Sequence, residues 1–166
     1  MKKLLSLIFS AMMLFTIAFT VHSNALAKDN KDIVDIAVED PKFSTLVKAL
    51  TEADLVDTLK GDGPYTVFAP TNDAFKKLPD GKLEELLKPE NKDVLKDILL
   101  YHVAAKELSS KDVINLIGKE LEMANGKKAK IEIKDEELLI DGAVIKITDI
   151  DAKNGVIHVI DAVMIP

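Results

Sequence analysis

Tyr65-Thr66-Val67-Phe68-Ala69-Pro70-Thr71-Asn72-Asp73-Ala74-Phe75 is the stretch whose reading decides the fold. Residues 65–69 are β-prone and bounded by turn formers, so they form a strand. Pro70 ends it, and Thr71 can cap a short helix over residues 72–75 with its hydroxyl. Phe68 and Phe75 carry rings that want burial. Thr66, Phe68, Pro70, Thr71 and Phe75 each have a structural task here, so the segment reads as architecture.

Toward the N-terminus the pattern is helical. Asp40-Pro41 is a cap followed by a favoured first helical residue, and Phe43, Leu46, Val47 and Leu50 recur at helical spacing. Residues 33–38 form a shorter apolar turn before it, and residues 55–59 another after it. Gly61-Asp62-Gly63-Pro64 breaks the run just before the strand.

Toward the C-terminus three further helical segments are expected. Residues 83–87 give one turn. Residues 89–102 give the clearest helix, with Val94, Leu95, Ile98, Leu99 and His102 on one face. Ser109 or Ser110 caps a last short helix that Gly118 closes. The period then changes to two. Asn125-Gly126, Asp141-Gly142 and Asn154-Gly155 are hairpin turns between alternating strands. Residues 156–165 are almost continuously apolar and read as a strand buried on both faces. Helices mostly in the first half and closely spaced strands in the second give an α+β domain, a β-sandwich with several short helices packed on it.

The ends and totals set the compartment. Met1-Lys2-Lys3 precedes an uncharged run over residues 4–21, and Ala25-Leu26-Ala27 then offers a small-x-small exit. These are the three parts of a secretory signal. The run is long enough that an uncleaved anchor is the alternative. Residues 1–27 are thus expected as signal peptide, residues 28–31 as a short polar lead and residues 32–166 as the domain. The sequence contains no cysteine, which excludes disulfides, thiolate metal sites and a lipidated signal cysteine. Lysine supplies all 22 basic residues against 28 acids, and loss of Lys2 and Lys3 leaves a net charge of about −8. An acidic chain without arginine is a poor match for nucleic acid or anionic lipid. A monomer is expected, with no membrane insertion after signal cleavage.

Three ordered segments carry a family resemblance. Residues 66–75 resemble the first signature of the fasciclin (FAS1) domain family, Leu100-Tyr101-His102 resembles its central Tyr-His motif, and Asn154-Gly155-Val156-Ile157-His158-Val159-Ile160-Asp161 resembles its second signature. The likeness covers about residues 32–166. It implies a wedge-shaped β-sandwich with helices, in secreted and cell-surface proteins linked to adhesion and to contact with matrix, polysaccharide or other proteins. It attaches no general catalytic activity to the domain.

The candidate functional residues divide accordingly. His102 sits on an apolar helix face and His158 in the most apolar strand, settings that favour buried, hydrogen-bonded imidazoles over metal ligands. The resemblance makes them architecture, together with Asn154 and Gly155. It also points to the Tyr101-His102 segment as a receptor contact in some members. Asp149-Ile150 matches an Asp-Ile pair that lies in proposed integrin-binding motifs of animal relatives, although the flanking Ile147-Thr148 departs from them. Tyr101, His102, Asp149 and Ile150 are therefore the partner-binding candidates. Asp149, Asp151 and Asn154 fail calcium-loop spacing because Lys153 fills a ligand position. No nucleophile elbow, zinc helix motif or phosphate loop occurs. The expected function is a secreted, non-enzymatic adhesion module without cofactor or metal, with a protein or polysaccharide partner outside the cell or in the periplasm. The alternative is a carrier for a small hydrophobic ligand, which requires a pocket of several hundred Å3.

Overall fold

A computed structural model describes residues 30–166. The signal peptide expected at residues 1–27 lies outside the described residues.

The helices form where caps and apolar spacing coincide. Helix α1 (Ile33–Glu39) starts from a capping box in which Asp32 and Asp35 bond each other's backbone N–H. Asp40 caps a 3-10 turn over Pro41–Phe43 through the N–H of Lys42. Helices α2 (Ser44–Glu52) and α3 (Val56–Leu59) follow. Strand β1 (Tyr65–Pro70) runs into α4 (Asn72–Lys76), whose first turn is capped by Thr71. Helices α5 (Lys82–Leu86) and α6 (Lys92–Leu100) lead to the two-residue strand β2 (Val103–Ala104). Helix α7 (Ser110–Asn115) has a capping box between Ser109 and Asp112. Strands β3 (Glu120–Glu122), β4 (Lys128–Lys134), β5 (Glu137–Ile140), β6 (Ala143–Ala152) and β7 (Gly155–Ile160) complete the described chain.

The strands run in the order β2-β1-β7-β6-β5-β4-β3. The long-range element is the parallel pairing of β1 with β7, from Tyr65 opposite Gly155 to Pro70 opposite Ile160. It joins the two signature segments into one ladder. Both strands are covered on both faces, which explains their unbroken apolar runs. On one face Val67, Ala69, Ile157 and Val159 pack beneath α1, α2 and α6. On the other, Phe68 and Ile160 meet Leu121, Ala129, Ile131 and Ile140. Phe68 and Ile131 belong to strands separated by three others in the sheet order, so the sheet must curl over this second core. The curl makes one sheet into a sandwich.

The structure corrects three details. The helix expected to reach His102 ends at Leu100, and Val94 lies outside its buried stripe at 52% exposure, on the solvent edge of Leu95, Ile98 and Leu99. Strand β7 stops at Ile160 instead of continuing to residue 165. There Asp161 still donates its backbone N–H to the carbonyl of Val144 at 3.1 Å, but its carboxylate, in place of its own carbonyl, accepts the N–H of Val144 at 2.9 Å. Ile133 and Ile147, which a strict period of two would turn inward with Ile131 and Ile145, are exposed by about half. For Ile147 the cause is local: the β6–β7 register slips by one residue on each side of it.

Candidate interaction surface

The motif residues act as clamps on segments without regular structure. Thr66 is fully buried, donates its hydroxyl to the carbonyl of Lys106 at 2.6 Å and accepts the N–H of Leu108 at 2.8 Å. The His158 ring donates Nε2–H to the carbonyl of Leu108 at 2.8 Å, lies against the Phe68 ring, and accepts the N–H of Asp149 at Nδ1. Together they hold the connection between β2 and α7. Asn154 does the same for the N-terminal helices: it accepts the N–H of Ile33 and donates to the carbonyls of Leu59 and Gly61. Gly155 beside it has no room for a side chain, since a Cβ would sit 1.9 Å from the carbonyl oxygen of Tyr65.

Tyr101 and His102 lie inside the fold. The Tyr101 hydroxyl donates to the carbonyl of Lys128 at 2.9 Å and lies 3.2 Å from the Asp141 carboxylate. Burial, then Asp141, pushes the phenol up to about 12. His102 donates Nδ1–H to the carbonyl of Ile98 at 2.8 Å and accepts the N–H of Met164 at Nε2, at 3.0 Å. Burial pushes its imidazole down to about 4, so it is neutral at pH 7. This ring anchors the segment that follows β7.

Asp149 and Ile150 sit in β6 beside its second register slip. Asp149 is exposed and has a left-handed backbone with φ 58°, uncommon for a residue other than glycine. Its carboxylate accepts the N–H of Ser110 at 2.7 Å. Partial burial pushes this carboxyl up, and the Ser110 bonds together with His158 outweigh that effect, leaving it below the usual range. Ile150 turns to the helical side and, with Ile147, Phe43, Val159 and Ile160, lines a depression of about 160 Å3 rimmed by Asp40, Lys42, Lys146 and Asp161. Ile147 stands at its mouth at 47% exposure. The pair Asp149-Ile150 was legible as a candidate. The contributions of Phe43, Ile147, Lys42 and Lys146 were not, because they depend on how the slipped β6 crosses the helical layer. Tyr101 and His102 do not line this depression.

Among the described residues, no group of three or more His, Cys, Asp or Glu side chains is placed to hold a metal ion. Among them too, no helix is long and apolar enough to cross a membrane.

Comparison with known proteins gives the family and the fold. The fasciclin domain model matches residues 41–166. The chain is 45% identical over 151 residues to protein sll1483 of Synechocystis, covering 88% of this chain and 79% of that one. It is 38% identical over 134 residues to transforming growth factor-beta-induced protein ig-h3 of Oryctolagus cuniculus, where the match takes 81% of this chain but 19% of the relative. The solved structure of a FAS1 domain pair from the insect cell adhesion molecule fasciclin I superposes with a TM-score of 0.71 at 22% identity, over 82% of this chain and 51% of that one.

Proposed function

Since the chain belongs to the fasciclin domain family, we propose that it is a secreted, non-enzymatic interaction module of the cell-adhesion type, binding a protein or polysaccharide partner at the cell surface or in the matrix. One observation carries the reading to a place on the molecule. The depression beside Asp149-Ile150 sets the exposed Ile147 and the half-buried Ile150 over a floor of the buried Phe43, Val159 and Ile160, within a charged rim, the composition of a contact centre with a polar border. Exposed loops and irregular strand segments on a rigid scaffold are where binding residues concentrate. Asp149, Ile150 and Ile147 make the contact. Tyr101 and His102, being buried, contribute by holding the scaffold.

At this depression the volume favours a side-chain contact over a carried ligand. A depression of about 160 Å3 accommodates one large side chain of a partner and falls short of the ~300 Å3 at which small-molecule sites begin. Wider, open depressions of about 470 Å3 beside Val34, Val38, Val47 and Val56 and of about 480 Å3 beside Leu116 and Leu121 keep the carrier as the alternative reading.

The test is binding of the native protein to intact cells of its source and to their isolated surface polysaccharide. Ile147→Asp should weaken binding at least ~tenfold, as expected for a residue near the centre of a contact. Val94→Asp, an equally exposed valine on α6, should leave it unchanged. Absence of binding by the unaltered protein, or equal binding by both variants, would sink the reading.

A further inference from the structure

We infer that His158 is a pH-responsive latch that sets the conformation of β6 at Asp149-Ile150, and so governs how the contact surface is presented. The functional consequence rests on the reading above; the latch itself does not. The geometry is a closed circuit. The His158 ring accepts the backbone N–H of Asp149 at 3.3 Å and donates to the carbonyl of Leu108 at 2.8 Å. The carboxylate of Asp149 accepts the N–H of Ser110 at 2.7 Å, two residues beyond Leu108. The ring, at Leu108, and the Asp149 carboxylate, at Ser110, between them tie both ends of the Leu108–Ser110 connection to the residue of β6 whose φ is 58°.

The two ring nitrogens have fixed and opposite roles. Nε2 must carry hydrogen because it faces a carbonyl. Nδ1 must be bare because it faces an N–H. Protonation adds hydrogen to Nδ1 and turns that bond into a contact between two donors. It also gives the ring a positive charge close to the Asp149 carboxylate. The circuit then favours a different arrangement, with Asp149 drawn from Ser110 toward the imidazolium and its N–H released. A left-handed, non-glycine residue at a register slip is poised for such a change, since its conformation is held by its surroundings.

The groups that face the ring are few. From β6 it meets Asp149, whose charge favours protonation, while burial opposes it more strongly and holds the imidazole below its usual value. From β1 come the uncharged Phe68 and, through Leu108, Thr66. The connection offers the Leu108 carbonyl, with Lys106 and Glu107 exposed to solvent. From α7, Asp112 acts on Asp149 and thus on the ring at one remove. Its neighbours on β7, Ile157 and Val159, carry no charge.

The experiment follows amide exchange at Asp149 and the ring resonances of His158 by NMR in the native protein between pH 8 and 4, with exchange corrected for its intrinsic pH dependence. The expected result is that protection at Asp149 falls ~tenfold per pH unit once the ring begins to titrate, with a coincident midpoint, while Ile157 and Ile131 amides stay protected. In His158→Gln, which keeps one donor and one acceptor, Asp149 protection should no longer depend on pH. Protection at Asp149 that persists until the whole domain unfolds would overturn the latch, and so would a loss whose midpoint differs from that of the ring. The coincidence of midpoints is read in the unaltered protein, so the test stands even if the variant does not fold. None of these measurements involves a partner.

Discussion

The side chain of Asn154 accepts the backbone N–H of Ile33 at 3.0 Å across 121 residues of sequence. The same amide donates to the carbonyls of Leu59 and Gly61, and the backbone carbonyl of Asn154 accepts the N–H of Tyr65. One buried residue thus ties the first N–H of α1, the end of α3 and the start of β1 to the turn before β7. A hairpin asparagine normally serves its own turn. Here it serves the opposite end of the chain.

Asn154→Ala should therefore destabilise far more than a turn substitution. It strands one buried N–H and removes a donor from two carbonyls, and each unsatisfied buried group costs about 1–3 kcal/mol. We expect a loss of about 3 kcal/mol in urea unfolding. Asn125→Ala in the β3–β4 turn should cost less, about 1 kcal/mol, because Asn125 is more exposed and its partners lie mainly on the surface. Equal losses at the two sites would refute the long-range role of Asn154.

Gly155→Ala and Gly142→Ala separate close approach from backbone strain. At Gly155 a Cβ would lie 1.9 Å from the Tyr65 carbonyl oxygen and 2.8 Å from its carbon. Backbone must move there, at the first rung of the β1–β7 ladder. At Gly142 φ is 82° but a Cβ meets nothing within 4 Å. The Gly142 variant should lose about 1 kcal/mol through strain alone. The Gly155 variant should lose upwards of ~3 kcal/mol or fail to fold. Thermal denaturation of the pair checks the order.

These relationships mark where the sequence could be read and where it could not. The caps at Asp40 and Thr71 were legible, and the cap at Ser109 or Ser110 to within one residue, because a cap is local: one side chain, one N–H, two or three residues apart. The change of period at Gly118 was legible for the same reason. The parallel pairing of Tyr65–Pro70 with Gly155–Ile160 was not, since nothing in either strand specifies its partner. Likewise His158 was readable as a buried imidazole, but its bonds to Leu108 and Asp149 arise from three elements meeting. The contact surface was half legible. Asp149-Ile150 stood out as a pair, whereas the exposure of Ile147 follows from two register slips that strict alternation denies.

Phe68→Leu tests how tightly the second core closes. Phe68 is fully buried, and its ring lies 5.5 Å from the His158 ring, centroid to centroid. Leucine keeps the apolar character but leaves a gap beside the imidazole, for a cost of about 1–3 kcal/mol. The loss should be accompanied by faster exchange at the Asp149 amide, because the ring that accepts its N–H loses its packing. Destabilisation without any change at that amide would show that Phe68 supports the core and not the clamp.

The pH dependence of stability follows from the two buried histidines. His102 is held at about 4 in the folded chain against 6.5 when free, and His158 is lowered as well. An unfolded chain therefore binds these protons at a pH where the folded chain refuses them. Stability is complete above pH ~6.5 and is lost as pH falls toward 4, the unfolded state gaining up to two protons, or about 2.7 kcal/mol per pH unit at the steepest point. His102 alone contributes on the order of 3 kcal/mol to that loss. The lowered carboxylates of Asp149 and Asp161 act in the same direction but only below about 3.8, outside this window. Urea midpoints measured from pH 7.5 to 4.5 should fall continuously, and His102→Asn, though less stable at neutral pH, should show a shallower slope. A flat profile between pH 7 and 5 would mean that both imidazoles are solvated and free to titrate in the folded protein.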